Sequence, residues 1–301
     1  MTNLVAVGDN CLDVYLTKDV MTVGGNALNV AAHWRNAGRS ARYFGAVGRD
    51  VEATVILDEV NKTGLLPEDV ERHAGQTAVT LLREKEGDRK FLLEDLGVGK
   101  DYIPAEHHFR TIAGADWVHL GTNSNPDLVR RLVAERVRFS VDISTAHGGL
   151  PLLGVPIVFA SGPDDPNVSV APLAERLQRA GALQVVVTCG SRGAFFRQGD
   201  GNLLHAPATP VSVVDTCGAG DSFIATFLAS SQVDRKPPAE ALREAAAAAS
   251  QTCVYVGGFP QQPRRIPDWL LSKYAAVIAP ACNKALSAIK AGVKATAHLF
   301  K

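Results

Sequence analysis

The stretch Val211-Ser-Val-Val-Asp-Thr-Cys-Gly-Ala-Gly-Asp-Ser-Phe-Ile-Ala-Thr-Phe227 is the part of this sequence that says most about the fold. Its apolar start predicts a strand at 211–214, and the residues from Asp221 to Ser231 predict a helix. Three small residues join the two elements: Gly218, Ala219 and Gly220. Their backbone N–H groups would converge at the start of the helix, where the helix dipole adds positive potential. The stretch therefore predicts a strand–loop–helix unit that binds an anion.

Asp221 needs its own explanation, because a carboxylate at the start of this helix would repel a bound phosphate. One explanation is that the side chain caps the helix. The other is that it lies beside a phosphoryl group in transfer and accepts the proton of the attacking hydroxyl. A positioned general base of this kind contributes on the order of 10²–10⁴-fold to a rate. The residues of the loop by themselves leave both explanations open.

The rest of the chain indicates the setting of this unit. Apolar, β-rich runs alternate with helical patterns over most of the 301 residues. Repeated strand–helix units predict an α/β fold with a doubly wound, mostly parallel sheet that is flanked by helices. The runs 77–83 and 89–94 flank a polar turn with glycine, which predicts a hairpin. We expect a main domain over 1–258, with a small β lid formed by about 11–23 and 74–96.

The C-terminal residues differ from the main domain in charge. Between 259 and 301, seven lysines and arginines stand against one acid, Asp268, which gives a net charge of +6. Helical patterns at 269–278 and 284–295 predict a cationic helical extension. A helix pair docked on the main domain and a tail that binds a partner both agree with this composition.

The overall composition excludes several classes of protein. Lys+Arg and Asp+Glu both number 31, and this balance argues against a protein that mainly binds nucleic acid or anionic lipid. The five cysteines are scattered and form no CxxC pair, which argues against a disulfide scaffold or a zinc site. The first nine residues lack the features of a signal peptide, and no run of ~18 apolar residues occurs. These features predict a cytoplasmic protein with no membrane or nucleic-acid partner.

A second glycine motif lies near the N-terminus, at Gly24-Gly25-Asn26-Ala27-Leu28-Asn29. Its glycines allow a ligand to approach the backbone closely, and the amides of Asn26 and Asn29 can bind hydroxyl groups. Asp9 and Asp13 follow the first predicted strand, at the position where open α/β sheets bind ligands. Asp13 is equally well explained as a turn residue.

Residues 215–223, Asp-Thr-Cys-Gly-Ala-Gly-Asp-Ser-Phe, resemble the signature of the PfkB/ribokinase family of carbohydrate kinases at every fixed position. The Gly-Gly motif and Val47-Gly-Arg-Asp50 are similar to two further elements of that family. The resemblance implies a ribokinase-like fold and ATP-dependent phosphoryl transfer. It also implies that Asp221 is the general base and that the backbone of 218–220 is the anion hole.

The resemblance implies roles for other residues as well. Asp9 would hold a pair of sugar hydroxyls, since a carboxylate can accept from both. The same pocket would include Asp13, Gly24, Gly25, Asn26 and Asn29. The segment from Thr188 to Gly193 is similar to the nucleotide-phosphate loop of the family, and Arg192 within it would add a phosphate contact. The residues assigned to ATP are then Thr188, Gly190, Arg192, Gly193, Thr216, Gly218 and Gly220.

One family element is altered here. The family carries an Asn-x-x-Glu element that helps to organise Mg²⁺, whereas this chain has Asp164, Asp165 and Asn167 in that region. Either an aspartate replaces the glutamate, or Mg²⁺ is held mainly by water and ATP, as this ion often is. Asp215 would lie near a monovalent cation such as K⁺. The family also implies a homodimer formed through the lid strands.

The acceptor is indicated by the segment Val7-Gly-Asp-Asn-Cys-Leu-Asp-Val-Tyr15. It resembles the members of the family that phosphorylate Amadori compounds, and the similarity extends over about 4–258. This implies transfer to the 6-hydroxyl of a fructosamine such as fructoselysine. Two alternatives stay open: another sugar or nucleoside kinase, such as a fructokinase or ribokinase, and a non-catalytic regulator that binds a sugar or nucleotide.

Overall fold

The computed structural model describes residues 3–85 and 88–279. The strands in these ranges are β1 (Asn3–Val7), β2 (Cys11–Tyr15), β3 (Val20–Gly24), β4 (Ser40–Val47), β5 (Val70–Arg72), β6 (Val79–Lys85), β7 (Asp88–Asp95), β8 (Trp117–Leu120), β9 (Phe139–Asp142), β10 (Ile157–Ser161), β11 (Gln184–Thr188), β12 (Ala194–Gln198), β13 (Leu204–Ala206) and β14 (Arg264–Arg265). The α-helices are α1 (Asn26–Asn36), α2 (Val51–Lys62), α3 (Glu106–Ala113), α4 (Pro126–Ala134), α5 (Ala171–Arg179), α6 (Ala219–Leu228), α7 (Pro238–Thr252) and α8 (Asp268–Lys273).

The larger sheet has nine strands in the order β13-β12-β11-β10-β9-β8-β1-β4-β5. Every pair from β11 to β5 is parallel, and β12 and β13 are added antiparallel at one edge. Because β4 and β8 lie on opposite sides of β1, the chain changes direction across the sheet at β1. Open α/β sheets bind ligands beyond the carboxyl ends of strands at such a point. The doubly wound fold predicted from the sequence is confirmed.

Side chains of β1 alternate between two hydrophobic cores, one on each face of the sheet. Leu4 and Ala6 join the core that contains α1, α2, α6 and α7, whereas Val5 and Val7 join the core that contains α3, α4 and α5. All four are buried. A strand that is apolar on both faces belongs in the interior of a parallel sheet that is covered by helices, and β1 has a parallel neighbour on each side.

A second, smaller sheet has five strands in the order β14-β3-β2-β6-β7. It includes the hairpin that the sequence predicts and the strands of residues 11–24, so the predicted small sheet is present. Asp50 joins the two sheets, because its carboxylate caps α2 at the Ala53 amide and also accepts from the Thr77 backbone and hydroxyl. The residues just before β6 are thus anchored to the main domain.

One predicted local structure is wrong. Residues 211–214 form no strand: Val213 and Val214 are exposed, and the Val214 N–H donates to the Cys253 carbonyl beside the end of α7. Apolar or polar character alone does not show whether a neighbouring strand is available.

The first part of the C-terminal segment, which the sequence assigns to a cationic helical extension, is packed against the main domain. Phe259 is fully buried, and β14 pairs with β3 of the smaller sheet. Ile266, Leu270 and Tyr274 belong to the core shared with α1 and α6. The chain up to Tyr274 is therefore part of the same packed unit, while the helix predicted at 284–295 lies outside the described residues. Within the described ranges, no helix has the length and apolar character needed to cross a lipid bilayer.

Candidate active site

The site is built at the carboxyl ends of β1, β8 and β9, where three aspartates and two asparagines converge. We call this group the carboxylate–amide cluster; its members are Asp9, Asn26, Asn29, Asp142 and Asp221. Asp9 follows β1, Asp142 ends β9, and Asp221 lies in the first turn of α6. The two asparagines come from the start of α1.

Asp9 holds the start of α1. One carboxylate oxygen accepts the Asn26 backbone N–H at 2.8 Å, and the other accepts the Ala27 N–H at 3.2 Å. Gly25 precedes the helix with φ +110°, and a Cβ there would lie 2.4 Å from the Asn10 Cα, so only glycine fits. Burial raises the pKa of Asp9, while these backbone hydrogen bonds oppose the rise. Asp9 thus stabilises the helix that carries both asparagines.

Asp221 faces those asparagines directly. Its Oδ1 accepts from Asn26 Nδ2 and its Oδ2 accepts from Asn29 Nδ2, both at 2.6 Å. The residue that caps α6 is Gly218, in the left-handed region at φ +70°, and a Cβ there would lie 2.3 Å from the Gly258 Cα. Asp221 is therefore not the helix cap, and its carboxylate is directed across to α1.

Burial is the main cause that raises the pKa of Asp221, to about 7. The neighbouring carboxylates of Asp142 and Asp9 raise it further, whereas the amide hydrogen bonds from Asn29 and Asn26 lower it. A carboxylate with a pKa near neutrality is a much stronger base than an exposed aspartate, yet it is still ionised in part at pH 7. Asp221 is thus suited to take up a proton.

Asp142 is a member of the cluster that sequence reasoning missed as a site residue. Its Oδ2 accepts from Asn26 Nδ2 at 2.9 Å, and its Oδ1 accepts the Ser144 N–H at 2.8 Å. Burial, followed by the charge of Asp9, raises the pKa of Asp142 to about 7. The signal in the sequence was an aspartate that ends a buried apolar strand at the ligand-binding edge of the sheet.

The structure corrects the role predicted for Asn26. Its two amide hydrogens are directed at Asp142 and Asp221, so none is left for a substrate hydroxyl. Its Oδ1 lies 3.4 Å from Nε2 of His119, whose Nδ1 lies 3.0 Å from Ser140 Oγ. His119 is fully buried, and this burial lowers its pKa to about 3, so the ring is neutral. Asn26 therefore links the side chains of Asp142, Asp221 and His119.

Asp13 and Gly24 lie close to the cluster in the smaller sheet. Asp13 is buried, and its carboxylate accepts from the thiols of Cys11 at 3.2 Å and Cys217 at 3.8 Å. A Cβ on Gly24 would lie 2.2 Å from Asp13 Oδ2, so Gly24 leaves room for this carboxylate. Asp13 belongs to β2 and is not a turn residue.

An apolar pocket of about 560 Å³ lies on the other side of the first turn of α6. Five residues that the sequence assigns to ATP line it: Thr188, Gly190, Gly193, Thr216 and Gly220. The sequence missed its remaining walls, which are mostly apolar and come from the segment before the glycine loop and from the end of α7 and the next residue (Ala208, Thr209, Pro210, Val211, Val213, Ala246, Ala249, Ser250 and Cys253). A pocket with apolar walls and a polar, glycine-rich mouth suits a planar base with attached phosphates.

Arg192 differs from its predicted role. Its Nη1 donates to the carbonyls of Pro163 and Asp165, at 2.8 and 2.7 Å, and its guanidinium lies 5.8 Å from the centre of the Phe195 ring. Arg192 is also not among the residues that line the apolar pocket. In this structure it holds the loop that contains Asp164 and Asp165.

The residues predicted to hold metal ions are only partly suited to it. Asp165 Oδ1 accepts from Asn167, while Asp164 Oδ1 lies next to Gly190, 2.9 Å from where a Cβ on that glycine would be. Within the described residues, no three His, Cys, Asp or Glu side chains form a metal-binding group. Asp164 thus lies beside a glycine that lines the apolar pocket, and its role at a cation stays a prediction.

Asp215 connects three segments. It is buried and accepts from the Tyr15 hydroxyl at 2.7 Å, from the Gly257 N–H at 3.0 Å and from the Cys217 N–H at 3.0 Å. These contacts fix the glycine loop before α6 to the smaller sheet and to the residues before Phe259. The role of Asp215 at a monovalent cation stays a prediction.

Comparisons with known proteins identify the family of this chain. The model of the pfkB family of carbohydrate kinases matches residues 1–138 and 157–264. Fructosamine kinase FrlD of Bacillus subtilis is 35% identical over 277 residues, which cover 88% of this chain and 96% of the relative. Fructoselysine 6-kinase of Escherichia coli is 31% identical over 265 residues, which cover 86% of this chain and all of the relative.

A solved structure shares the fold. Arabidopsis thaliana ribokinase complexed with ribose and ATP superposes with a TM-score of 0.76 at 22% identity, and the match covers 88% of this chain and 97% of that one. The family model thus matches most of this chain, and two relatives are more than 30% identical to it. The chain belongs to the pfkB family of carbohydrate kinases and is an ATP-dependent sugar kinase.

Proposed function

We propose that this kinase phosphorylates the 6-hydroxyl of a fructosamine such as fructoselysine. Two relatives support the acceptor class: a fructosamine kinase and a fructoselysine 6-kinase, each matched over at least 86% of this chain. The chain also shares 26% identity with ribokinase of Arabidopsis thaliana and with fructokinase of Salmonella typhimurium, over 90% and 76% of its length. The higher identities favour the fructosamine.

The observation that carries the mechanism is the position of Asp221. It lies in the turn of α6 whose Ala219 and Gly220 line the apolar pocket, while its carboxylate reaches the asparagines of α1. A sugar on the α1 side and a nucleotide in the pocket would therefore meet at this carboxylate. Each Asp221 oxygen accepts one amide hydrogen and keeps a lone pair for a hydroxyl.

In the proposed reaction, the 6-hydroxyl oxygen attacks the γ-phosphorus of ATP. The bond between that phosphorus and the bridging oxygen to the β-phosphate breaks, ADP leaves, and the hydroxyl proton passes to Asp221. The N–H groups at 218–220 lie at the N-terminal end of α6, where that of Ala219 is 3.4 Å from the Thr216 carbonyl, and they would stabilise charge on the phosphoryl oxygens. A single donor of this kind is typically worth about 3–4 kcal/mol in the transition state.

Other residues of the cluster would bind the sugar. Asn29 uses one amide hydrogen on Asp221 and keeps a second for a hydroxyl. Asp13, which lies outside the cluster in β2 of the smaller sheet, would be a further sugar-binding residue. Asp9 would act mainly through α1, because both of its oxygens already accept backbone amides. The smaller sheet, as a lid, would exclude water from this side, and its strands would form the proposed homodimer contact.

The nucleotide would lie in the apolar pocket with its phosphates toward Thr188, Gly190 and Gly220. Mg²⁺, when bound, neutralises charge on the transferred phosphates, and Asp164 beside Gly190 is the residue that would face it. A monovalent cation near Asp215 is not needed to explain the contacts of that carboxylate.

A panel of acceptors tests the proposal. Purified protein is assayed for ADP release with fructoselysine, fructose and ribose, and the position of the new phosphate is read by carbon–phosphorus coupling in NMR spectra. We expect the highest kcat/KM with fructoselysine and a phosphate on its 6-oxygen. A higher kcat/KM with fructose or ribose would show instead that the protein is a fructokinase or a ribokinase. ATP binding without turnover of any sugar would support a non-catalytic regulator.

A further inference from the structure

One amide nitrogen joins the carboxylates of Asp142 and Asp221. Asn26 Nδ2 is 2.9 Å from Asp142 Oδ2 and 2.6 Å from Asp221 Oδ1. An amide nitrogen has two hydrogens, so both carboxylates can be bound at once and neither hydrogen remains. The two carboxylates are thereby held on either side of the Asn26 amide. Because two nearby negative charges repel each other, this arrangement opposes the ionisation of both, and it therefore calls for an explanation.

The orientation of this amide is fixed from the other side. His119 Nε2 lies 3.4 Å from Asn26 Oδ1, and Ser140 Oγ lies 3.0 Å from His119 Nδ1. Ser140 Oγ in turn accepts from Trp117 Nε1 at 3.1 Å. A serine hydroxyl that donates to Nδ1 leaves the proton of the neutral ring on Nε2, where it faces the oxygen of Asn26. A flipped amide would put its oxygen against two carboxylates.

We propose that Asp142 is a positioning residue for phosphoryl transfer, which acts through Asn26 to hold the Asp221 carboxylate in place and to increase its affinity for the proton of the acceptor. This inference rests on the proposed role of Asp221 as the base. Asp142 does not need to touch either substrate: its negative charge makes an ionised Asp221 less favourable, and the shared amide prevents the two carboxylates from moving apart.

The charged and titratable groups around Asp221 define what Asp142 contributes. From α1 it receives the Asn26 and Asn29 amides, which favour the ionised form. From the ends of β1 and β9 it faces Asp9 and Asp142, which disfavour that form. His119 of β8 is neutral and offers no compensating charge. Both oxygens of Asp9 accept backbone N–H groups of α1, so removing Asp9 would disturb that helix. Removing Asp142 takes a negative charge away from Asp221 with less effect on α1.

The substitution D142N removes the charge and one hydrogen bond. Asp142 accepts through different oxygens from Ser144 and from Asn26, and an asparagine has only one oxygen to offer. We therefore expect D142N to lower the melting temperature somewhat and to lower kcat severalfold. Neither effect alone separates a positioning role from a purely structural one, so the decisive measurement is the titration of Asp221 itself.

In the test, the full chain is labelled with carbon-13 at Cγ of its aspartates and titrated by NMR, with the Asp221 resonance assigned by its loss in D221N. We expect the Asp221 midpoint to fall by about one pH unit in D142N, because a like charge has been removed. The control is D69N, which removes a buried carboxylate that pairs with Arg42 away from the site. It should leave the Asp221 midpoint where it is.

The outcomes separate this inference from the proposed function. An unchanged Asp221 midpoint in folded D142N would overturn the role of Asp142, while an inactive D221N would still support Asp221 as the base. An active D221N would overturn the assignment of Asp221 as the base, whatever the titration shows, while the acceptor panel tests the proposed function separately. A midpoint that falls in D142N, together with an acid limb of kcat/KM that moves to lower pH by the same amount, supports both.

Discussion

The two sides of the active site are made of different parts. The carboxylate–amide cluster is an array of buried and half-buried polar side chains that are joined by side-chain hydrogen bonds. The apolar pocket is lined by small apolar side chains, threonines, serines and glycine backbone. The cluster is defined by its charges and by the direction of its hydrogen bonds, whereas the pocket is defined by its shape. A substitution in the cluster should therefore change the rate of chemistry, whereas a substitution in the pocket should change affinity for the nucleotide.

The largest effect is expected from D221N, which tests the cluster side of this comparison. Asparagine keeps the size of the side chain but cannot accept the proton, so we expect kcat to fall at least about a hundredfold. Affinity for ATP, measured by calorimetry, should stay near that of the unchanged protein, because the apolar pocket is not altered. Near-normal turnover in D221N would show that the cluster does not supply the base.

The pH dependence of the reaction sharpens the same point. Burial and like charges raise the pKa of Asp221 to about 7, and only the ionised form can take up a proton. Activity should thus be full above this pKa and kcat/KM should fall about tenfold per pH unit below it. Because Asp142 has a similarly raised pKa, the midpoint belongs to the pair rather than to one residue.

An acid limb near pH 4, measured as kcat/KM with the enzyme saturated by neither substrate, would contradict this expectation. It would mean that Asp221 behaves like an exposed aspartate and that water enters the cluster. ATP affinity over the same pH range provides the control, since none of the aspartates of the cluster lines the apolar pocket.

Filling the apolar pocket tests the other side of the comparison. Ala249 of α7 lines the pocket, so A249L would occupy space that the nucleotide needs, and we expect KM for ATP to rise about tenfold with little change in kcat. Ala247 lies on the exposed side of the same helix, which makes A247L a matched control for helix stability. Equal effects of the two substitutions would show that this cavity does not hold the nucleotide.

The sequence predicted these two sides unequally. Strand–helix alternation was enough for the doubly wound sheet, because a parallel sheet covered on both faces needs continuous apolar strands such as β1. The glycine motifs marked Asp221, Asn26 and Asn29 and the mouth of the pocket, since those backbones can adopt their conformations only with glycine at Gly25 and Gly218.

Sequence reasoning missed the parts of the site that depend on contacts between distant segments. Asp142 and His119 lie 116 and 93 residues from Asn26, and no local pattern shows that they meet. The strand predicted at 211–214 failed for a related reason: its valines face the pocket and solvent, and none of the strands in the described part of the chain pairs with them. A glycine that the backbone requires can be recognised from the residues next to it, whereas the distant partner of a side chain cannot.

The smallest effect is expected at Arg192, where a local pattern and the structure disagree. The loop motif suggests a phosphate contact, but the Nη1 of Arg192 donates to the Pro163 and Asp165 carbonyls. We expect R192A to raise KM for ATP only about two- to fivefold. The substitution loosens the loop that carries Asp164, but it removes no direct contact between the arginine and the phosphates. A direct phosphate contact would cost tenfold or more and would weaken with added salt, since an ion pair exposed at the mouth of the pocket is screened. Measuring KM for ATP of R192A at low and high salt therefore decides whether this arginine belongs to the pocket or only supports it.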